Sequence, residues 1–292
     1  MEDRSAKYRA FYAQLICAAA RAADPRIEEA FRTVRREPFV GPGPWSISVG
    51  SHPYVVTPDD DPAFVYQNTL LALDSARGLN IGMPGAHAHW LDGCAVKEGE
   101  TVVQIGAGSG YYTAILAHLV GPGGRVHAYE IDERLAGLAR ENLKDIAYVD
   151  VRDRTGIASD LLKADVIYVC AGAAQPATEW LDALRPGGRL VFPLAPEGIL
   201  GGMLMVTRPD EGAAWPAKFL GRAQFIGCAG LQDADAARRL AEAFAGGWEG
   251  VQSLRREGAP DETCWFAGEG WWLSTAPVAT APIKPNADIT QA

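Results

Sequence analysis

The 292-residue chain reads as an α/β protein, with a central, mostly parallel sheet flanked by helices. Three observations predict this. From residue 102 onward, strand-like apolar runs alternate with helical patterns. The first run, 102–105, meets a glycine-alternating loop, Gly106-Ala107-Gly108-Ser109-Gly110, and Tyr111 then opens an amphipathic helix. Twenty positions past Gly110, a second run ends at the acidic residue Glu130.

Taken in order, residues 6–23 form an Ala-rich helical pattern. Asp24-Pro25 begins a second helix over 26–35, with Asp24 as cap and Pro25 at the first helical position; Glu37-Pro38-Phe39-Val40 ends it. Residues 41–62, rich in Gly, Pro and Asp, read as a long irregular loop, and 63–79 mix strand and helix signals. A helix over Pro84–Cys94 leads to the glycine loop. Strands are predicted at 102–105, 125–129, 148–152, 165–170 and 188–193, and helices at 111–120, 133–143 and 175–184. Further strand-like runs lie at 202–207 and 219–227, an amphipathic helix runs from Asp233 to Phe244, and a Trp-rich strand covers 264–273. This divides the chain into N-terminal helices with an acceptor-loop region (1–95), a cofactor core (96–210), a C-terminal α+β extension (211–275) and a Pro/Ala/Thr-rich tail (276–292) expected to be flexible.

Composition excludes several classes. The formal net charge of −9 argues against nucleic acid as a partner, because phosphate binding needs a basic footprint. No apolar run is long enough to span a bilayer, and Glu2, Asp3, Arg4 and Lys7 at the start do not read as a signal peptide. The five cysteines stand far apart with no CxxC spacing, so neither zinc nor a disulfide framework is indicated, and a reduced cytoplasmic setting fits. The histidine spacing matches no metal-ligand pattern, so no metal is expected.

A strand, a glycine loop and a helix N-terminus let a ligand approach the backbone closely and offer it free N–H groups. An acidic residue ending the next strand accepts from ribose hydroxyls. An adenosine-containing ligand is therefore expected. The glycines run GxGxG rather than GxGxxG, which suits the compact amino-acid end of S-adenosylmethionine better than a pyrophosphate.

The segments VVQIGAGSGYYTAILA, GRVHAYEID, ADVIYVCAGA and LRPGGRLVFPL resemble those of class I S-adenosylmethionine-dependent methyltransferases, with their Rossmann-like fold. More narrowly, with Asp24-Pro25-Arg26-Ile27-Glu28-Glu29-Ala30-Phe31 and Arg36-Glu37-Pro38-Phe39-Val40, the chain resembles the protein-L-isoaspartate O-methyltransferase family over roughly residues 20–207. The resemblance implies S-adenosylmethionine as cofactor. It implies that Gln104, Gly106, Ala107, Gly108, Ser109, Gly110 and Tyr111 surround its methionine part. Glu130 would hold the ribose and Asp153 would sit near the adenine, with Ile131 and Arg154 also at the cofactor and Cys170 lining the site from the fourth strand.

The chain departs from the pattern twice. Gln104 stands where the first motif carries an acidic residue. In the acceptor loop Asn80-Ile81-Gly82-Met83-Pro84-Gly85-Ala86-His87, Asn80 and Gly82 replace a Thr-Ile-Ser-type segment, so the family's hydroxyl contact has no counterpart. Tyr54, Asn80 and His87 are the candidate acceptor contacts, with His52 and His89 as further polar groups; His87 and His89, two apart on a helix, point to different faces. Asp59-Asp60-Asp61 reads as a solvated loop or cap, and Trp265, Trp271 and Trp272 as packing. The expected function is methyl transfer to a carboxylate of a peptide or protein. The alternatives are a paralogue acting on a small metabolite or biosynthetic peptide, and a cofactor-binding module without catalysis.

Overall fold

The computed structural model describes residues 4–48 and 54–278. Helix α1 (Arg4–Ala20) and helix α2 (Pro25–Thr33) pack on the N-terminal side, joined by Asp24, whose carboxylate accepts from Arg26 N at 2.9 Å. A short helix α3 (Glu37–Val40) follows. The stretch expected to be one irregular loop instead holds a two-stranded hairpin, β1 (Ser46–Ile47) with β2 (Val55–Val56). Asp61 caps a 3-10 turn over Pro62–Phe64. A second hairpin, β3 (Ala72–Asp74) with β4 (Leu79–Asn80), leads to α4 (Pro84–Cys94).

The alternating half follows: β5 (Thr101–Ile105), α5 (Tyr111–Val120), β6 (Arg125–Glu130), α6 (Glu133–Leu143), β7 (Val149–Asp153), β8 (Ala164–Val169), α7 (Thr178–Ala183) and β9 (Leu184–Leu194). These five strands run parallel in the order β9-β8-β5-β6-β7. The chain passes β5→β6→β7 toward one edge and then returns to place β8 on the other side of β5. The order therefore reverses between β5 and β8, where open α/β sheets bind their ligands outside the carboxyl ends of the strands.

Beyond β9 the sheet continues antiparallel through β10 (Gly201–Thr207), β11 (Ala214–Ala223), β12 (Ser253–Arg255) and the hairpin β13 (Cys264–Gly268) with β14 (Trp271–Ser274). The Trp-rich run is thus two strands, turned at Gly270, whose φ of +73° suits glycine. Helix α8 (Ala234–Ala245) starts at Asp233, which accepts from Ala236 N at 2.8 Å. The residues after 210 extend the same sheet.

Along β5, Val102 belongs to one apolar core while Val103 and Ile105 belong to another, as the two-residue strand period requires for a sheet covered on both faces. The first core holds α1, α2, α4 and α5; the second holds Trp180, β9 and the inner face of the C-terminal strands, with Trp271 buried among them. The expected helix 175–184 is shorter than predicted. Pairing of Ala164 with Leu184, and of Arg208 N with Gly188 O at 2.8 Å, draws the Pro-Gly-Gly stretch into β9. His52 and residues 279–292 of the tail lie outside the described residues.

Candidate active site

The strand crossover opens a cavity of about 250 Å³. Gly106, immediately after β5, lies against the chain after β8: a Cβ at Gly106 would sit 3.1 Å from Cys170 O, and Cys170 N donates to Ile105 O at 2.7 Å. Gly106 and Gly108 both line the cavity with left-handed backbones, φ +77° and +57°. Glu130 ends β6 inside the cavity. Its Oε2 accepts from Gly108 N at 2.7 Å and its Oε1 from Asp132 N at 2.9 Å. Burial raises its pKa above the ordinary 4.5, against the lowering effect of those two backbone donors. Ile105, Ile131, Leu135 and Gly156 form an apolar slot beside it.

Not every residue assigned from sequence reaches this cavity. Asn80, Gly106, Gly108, Glu130, Ile131, Arg154 and Cys170 line it. Arg154 also lies over the Tyr129 ring at 5.4 Å and donates to Asp160 at 2.9 Å. Asp153, expected at the adenine, is instead an exposed residue of the edge strand β7, paired with Arg140 at 2.7 Å. Its carboxylate is drawn to Arg140 on α6, and it is not among the residues that line the cavity. Gln104 is buried behind the loop, accepting from Thr113 Oγ1 at 2.6 Å and donating to Cys170 Sγ at 3.7 Å. Its amide carries no charge, and it is not among the residues that line the cavity. Ala107 and Ser109 are buried in the turn, and Gly110 packs on α6, where a Cβ would lie 2.8 Å from Leu143. Tyr111 points the opposite way, into an aromatic cluster with Phe31 and Phe39, its hydroxyl 3.3 Å from that of Tyr12.

The acceptor-side candidates also separate. Asn80 spends both ends of its amide on its own loop, accepting from Gly82 N at 2.9 Å and donating to Gly78 O at 3.0 Å. His87 does not line the cavity. It is buried, stacked on Tyr112 with centroids 3.5 Å apart, and held by the Tyr168 hydroxyl at 2.9 Å. Burial pushes its pKa down to about 3, so it stays neutral near pH 7. Tyr54 precedes β2 and is not among the lining residues. His89, on another face as expected, sits between Ala20 O (3.1 Å) and Leu220 O (2.6 Å).

One wall escaped the sequence reading. Ile226, Gly227, Cys228 and Ala229, after β11, close the cavity from the C-terminal side. They are held by Gly172 N donating to Ile226 O (2.8 Å) and Cys228 N donating to Gly172 O (2.7 Å). Nothing in local spacing links residues 226–229 to Gly106; only the pairing with the loop after β8 brings them there.

Comparison with known proteins agrees with this geometry. A sequence model of the protein-L-isoaspartate(D-aspartate) O-methyltransferase family matches residues 12–214. Protein-L-isoaspartate O-methyltransferase 2 of Syntrophobacter fumaroxidans is 33% identical over 195 residues, covering 65% of this chain and 70% of that protein. The enzyme named protein-L-isoaspartate O-methyltransferase from Aeropyrum pernix is 36% identical over 146 residues, 48% of this chain and 55% of its own length. Among solved structures, a protein-L-isoaspartate O-methyltransferase aligns with a TM-score of 0.61 at 21% identity, over 77% of this chain and 67% of that one. A Plasmodium falciparum relative, solved with S-adenosyl-L-homocysteine, aligns with a TM-score of 0.59 at 18% identity, over 75% and 97%. These two likenesses establish the fold. The chain is an S-adenosylmethionine-dependent methyltransferase, and it belongs to the protein-L-isoaspartate(D-aspartate) O-methyltransferase family.

Proposed function

We propose that the cavity between β5 and β8 holds S-adenosylmethionine and that the enzyme methylates a carboxylate of a peptide or protein, the isoaspartyl carboxylate named in its relatives being the first acceptor to test. The observation that carries this reading is the pairing of two walls around one cavity. Gly106, Gly108 and Glu130 lie on one side, and Leu79 and Asn80 of the β3–β4 hairpin on the other. The residues present fit the cofactor: two side-chain-free positions where the backbone must be approached, one buried carboxylate for ribose hydroxyls, and the apolar slot of Ile105, Ile131 and Leu135 for a base. Residues 96–210 then serve the cofactor, and residues 1–95 together with 226–229 the acceptor.

When bound, S-adenosylmethionine supplies a methyl carbon open to in-line displacement. A carboxylate acceptor is already ionised at pH 7 and needs no base. The reaction therefore asks no proton transfer of His87, which is neutral and buried, or of the cavity's thiols, Cys170 and Cys228, which burial pushes up to about 12 and about 11. The chain's work is alignment and exclusion of water by Leu79, Ile131 and Ile226.

The test is transfer of labelled methyl from S-adenosylmethionine to an isoaspartyl peptide, followed by alkali. The expected result is label released as methanol, as a methyl ester requires. Cofactor binding with no transfer to that peptide would overturn the isoaspartyl reading. Transfer to a small acid instead would favour the metabolite paralogue, which the missing hydroxyl at Gly82 supports, and no transfer at all would favour a non-catalytic module.

Glu130 supplies a second test. Its raised pKa means that it takes up its proton at a higher pH than an ordinary glutamate does. Affinity for S-adenosylhomocysteine is expected to fall with falling pH, beginning above 4.5, as the ribose acceptor is protonated. The linked stability has the opposite sign: because the folded pKa is the higher one, stability declines as pH rises through the same window. Titration calorimetry across pH 4.5–8 should show the loss of affinity in the wild type and a flat, weaker profile in Glu130→Gln. A wild-type profile as flat as the variant's would remove Glu130 from the site.

The net charge of −9 supports a partner other than nucleic acid. Five free cysteines support a cytoplasmic setting. Among the described residues, no helix is long and apolar enough to cross a membrane.

A further inference from the structure

Arg36 is fully buried, yet its hydrogen-bond partners are carbonyls and not a carboxylate. Nη1 donates to Val65 O at 2.7 Å and Gln67 O at 2.9 Å, and Nη2 to Thr69 O at 3.0 Å. Nε has no hydrogen-bond partner. The guanidinium lies over two rings, Tyr12 at 5.7 Å and Tyr111 at 5.6 Å. The neighbouring carboxylate of Glu37 is turned elsewhere, accepting from Tyr66 Oη at 2.5 Å and from Ser5. A buried cation is costly unless its donors are met, and here three carbonyls from one short segment meet Nη1 and Nη2 while two π faces lie against the guanidinium.

Both partners of this cation lead to the active site. The segment 65–69 carries Asn68, whose Oδ1 accepts from Gly85 N at 2.8 Å in the first turn of α4. Gly85 is packed so closely on that amide that a Cβ would lie 2.9 Å from Asn68 Nδ2. Leu71, just beyond, accepts from Ile81 N at 3.0 Å. The loop 80–85, which carries the cavity residue Asn80, is thus suspended from the chain that Arg36 gathers. On the other side, Tyr111 is the first residue of α5, directly after the glycine loop.

We propose that Arg36 is a positioning residue for methyl transfer: it sets the acceptor loop 80–85 against the start of the cofactor helix by holding segment 65–69 and Tyr111 on one buried guanidinium. This rests on the reading of loop 80–85 as the acceptor side. Only a planar fork with several donors can meet three carbonyls and two rings at once, so a lysine should not replace it. Arg36's hydrogen bonds and ring contacts are with Tyr12, the 65–69 segment and Tyr111 rather than with Gly106, Gly108 or Glu130, so cofactor binding should survive its loss.

The test uses Arg36→Lys and Arg36→Met in the full chain, with three readouts. The first is S-adenosylhomocysteine affinity, expected to stay within threefold of wild type. The second is kcat/KM for whichever acceptor the wild type methylates, expected to fall at least 20-fold in both variants, chiefly through KM. The third is hydrogen exchange at the amides of Gly82 and Gly85, expected to speed up at least tenfold in Arg36→Lys while the β5 amides stay protected. That readout needs no acceptor, so it tests the proposal even where the isoaspartyl peptide is not methylated. Exchange that rises uniformly across α4 and β5, or an unchanged kcat/KM with unchanged loop exchange, would overturn the proposal.

Discussion

Gly108→Val is expected to abolish cofactor binding, with at least a 100-fold loss of S-adenosylhomocysteine affinity by titration calorimetry. Gly108 adopts φ +57°, a left-handed backbone that costs an L-residue about 1–2 kcal/mol, and a β-branched one has fewer ways to relieve it. A Cβ there would stand 3.5 Å from Leu73 Cδ1, an ordinary contact, so the protein itself has room for it. The extra methyls would enter the cavity that Gly108 lines, and the strained peptide would shift the N–H that holds Glu130 at 2.7 Å. A 100-fold loss corresponds to about 2.7 kcal/mol. The control is Gly99→Ala. Gly99 has φ +80° and open space around it, and it lies away from the cavity. It should share the backbone strain, lose a little stability and keep its affinity. A Gly108→Val protein that bound within threefold of wild type would remove the glycine loop from the site.

The parallel half of the fold could be read from residues because local signals and tertiary demands agree there. Residues 102–105 (broken only by Gln104) and 166–169 are largely apolar runs, as strands buried on both faces require, and Asp24 sits one residue before the helix it caps. Elsewhere long-range pairing decided the outcome. The hairpins β1–β2 and β3–β4 have strands of two or three residues, too short for any periodicity, and Ile47 is bridged to Leu71 from outside its own hairpin. That Gly106, Gly108, Glu130, Ile131 and Cys170 line one cavity was legible from their places at strand ends. Asp153 was not, because its position at the end of β7 says nothing about which side of an edge strand it faces. The wall at 226–229 was invisible for a different reason: its place depends on Gly172, where a Cβ would come 2.2 Å from Ala195 O and only glycine lets the segments close. Tyr111 and His87 bear on the site's shape through packing, and their residue types alone suggest ligand contact instead.

Restoring a hydroxyl to the acceptor loop by Gly82→Ser is expected to destabilise the enzyme by about 2–4 kcal/mol and to yield no gain in isoaspartyl methylation. Two costs add. Gly82 has φ +76°, which serine adopts only with strain of about 1–2 kcal/mol. Its Cβ would also stand 2.6 Å from His87 Nε2, closer than real Cβ atoms come, and a tight 3.1 Å from His87 Cδ2. The imidazole cannot step aside, since it is stacked on Tyr112, held by the Tyr168 hydroxyl at 2.9 Å and packed edge-on against Trp90. The imidazole therefore fills the space in which a side chain at residue 82 would begin. A double-mutant cycle in urea separates the terms. His87→Ala should relieve the steric cost but leave the backbone cost. Gly82→Ser/His87→Ala should then be more stable than the sum of the single losses by about 1–3 kcal/mol. A Gly82→Ser protein as stable as wild type would show that the loop can move away from His87, and the acceptor side would then be open to the hydroxyl after all.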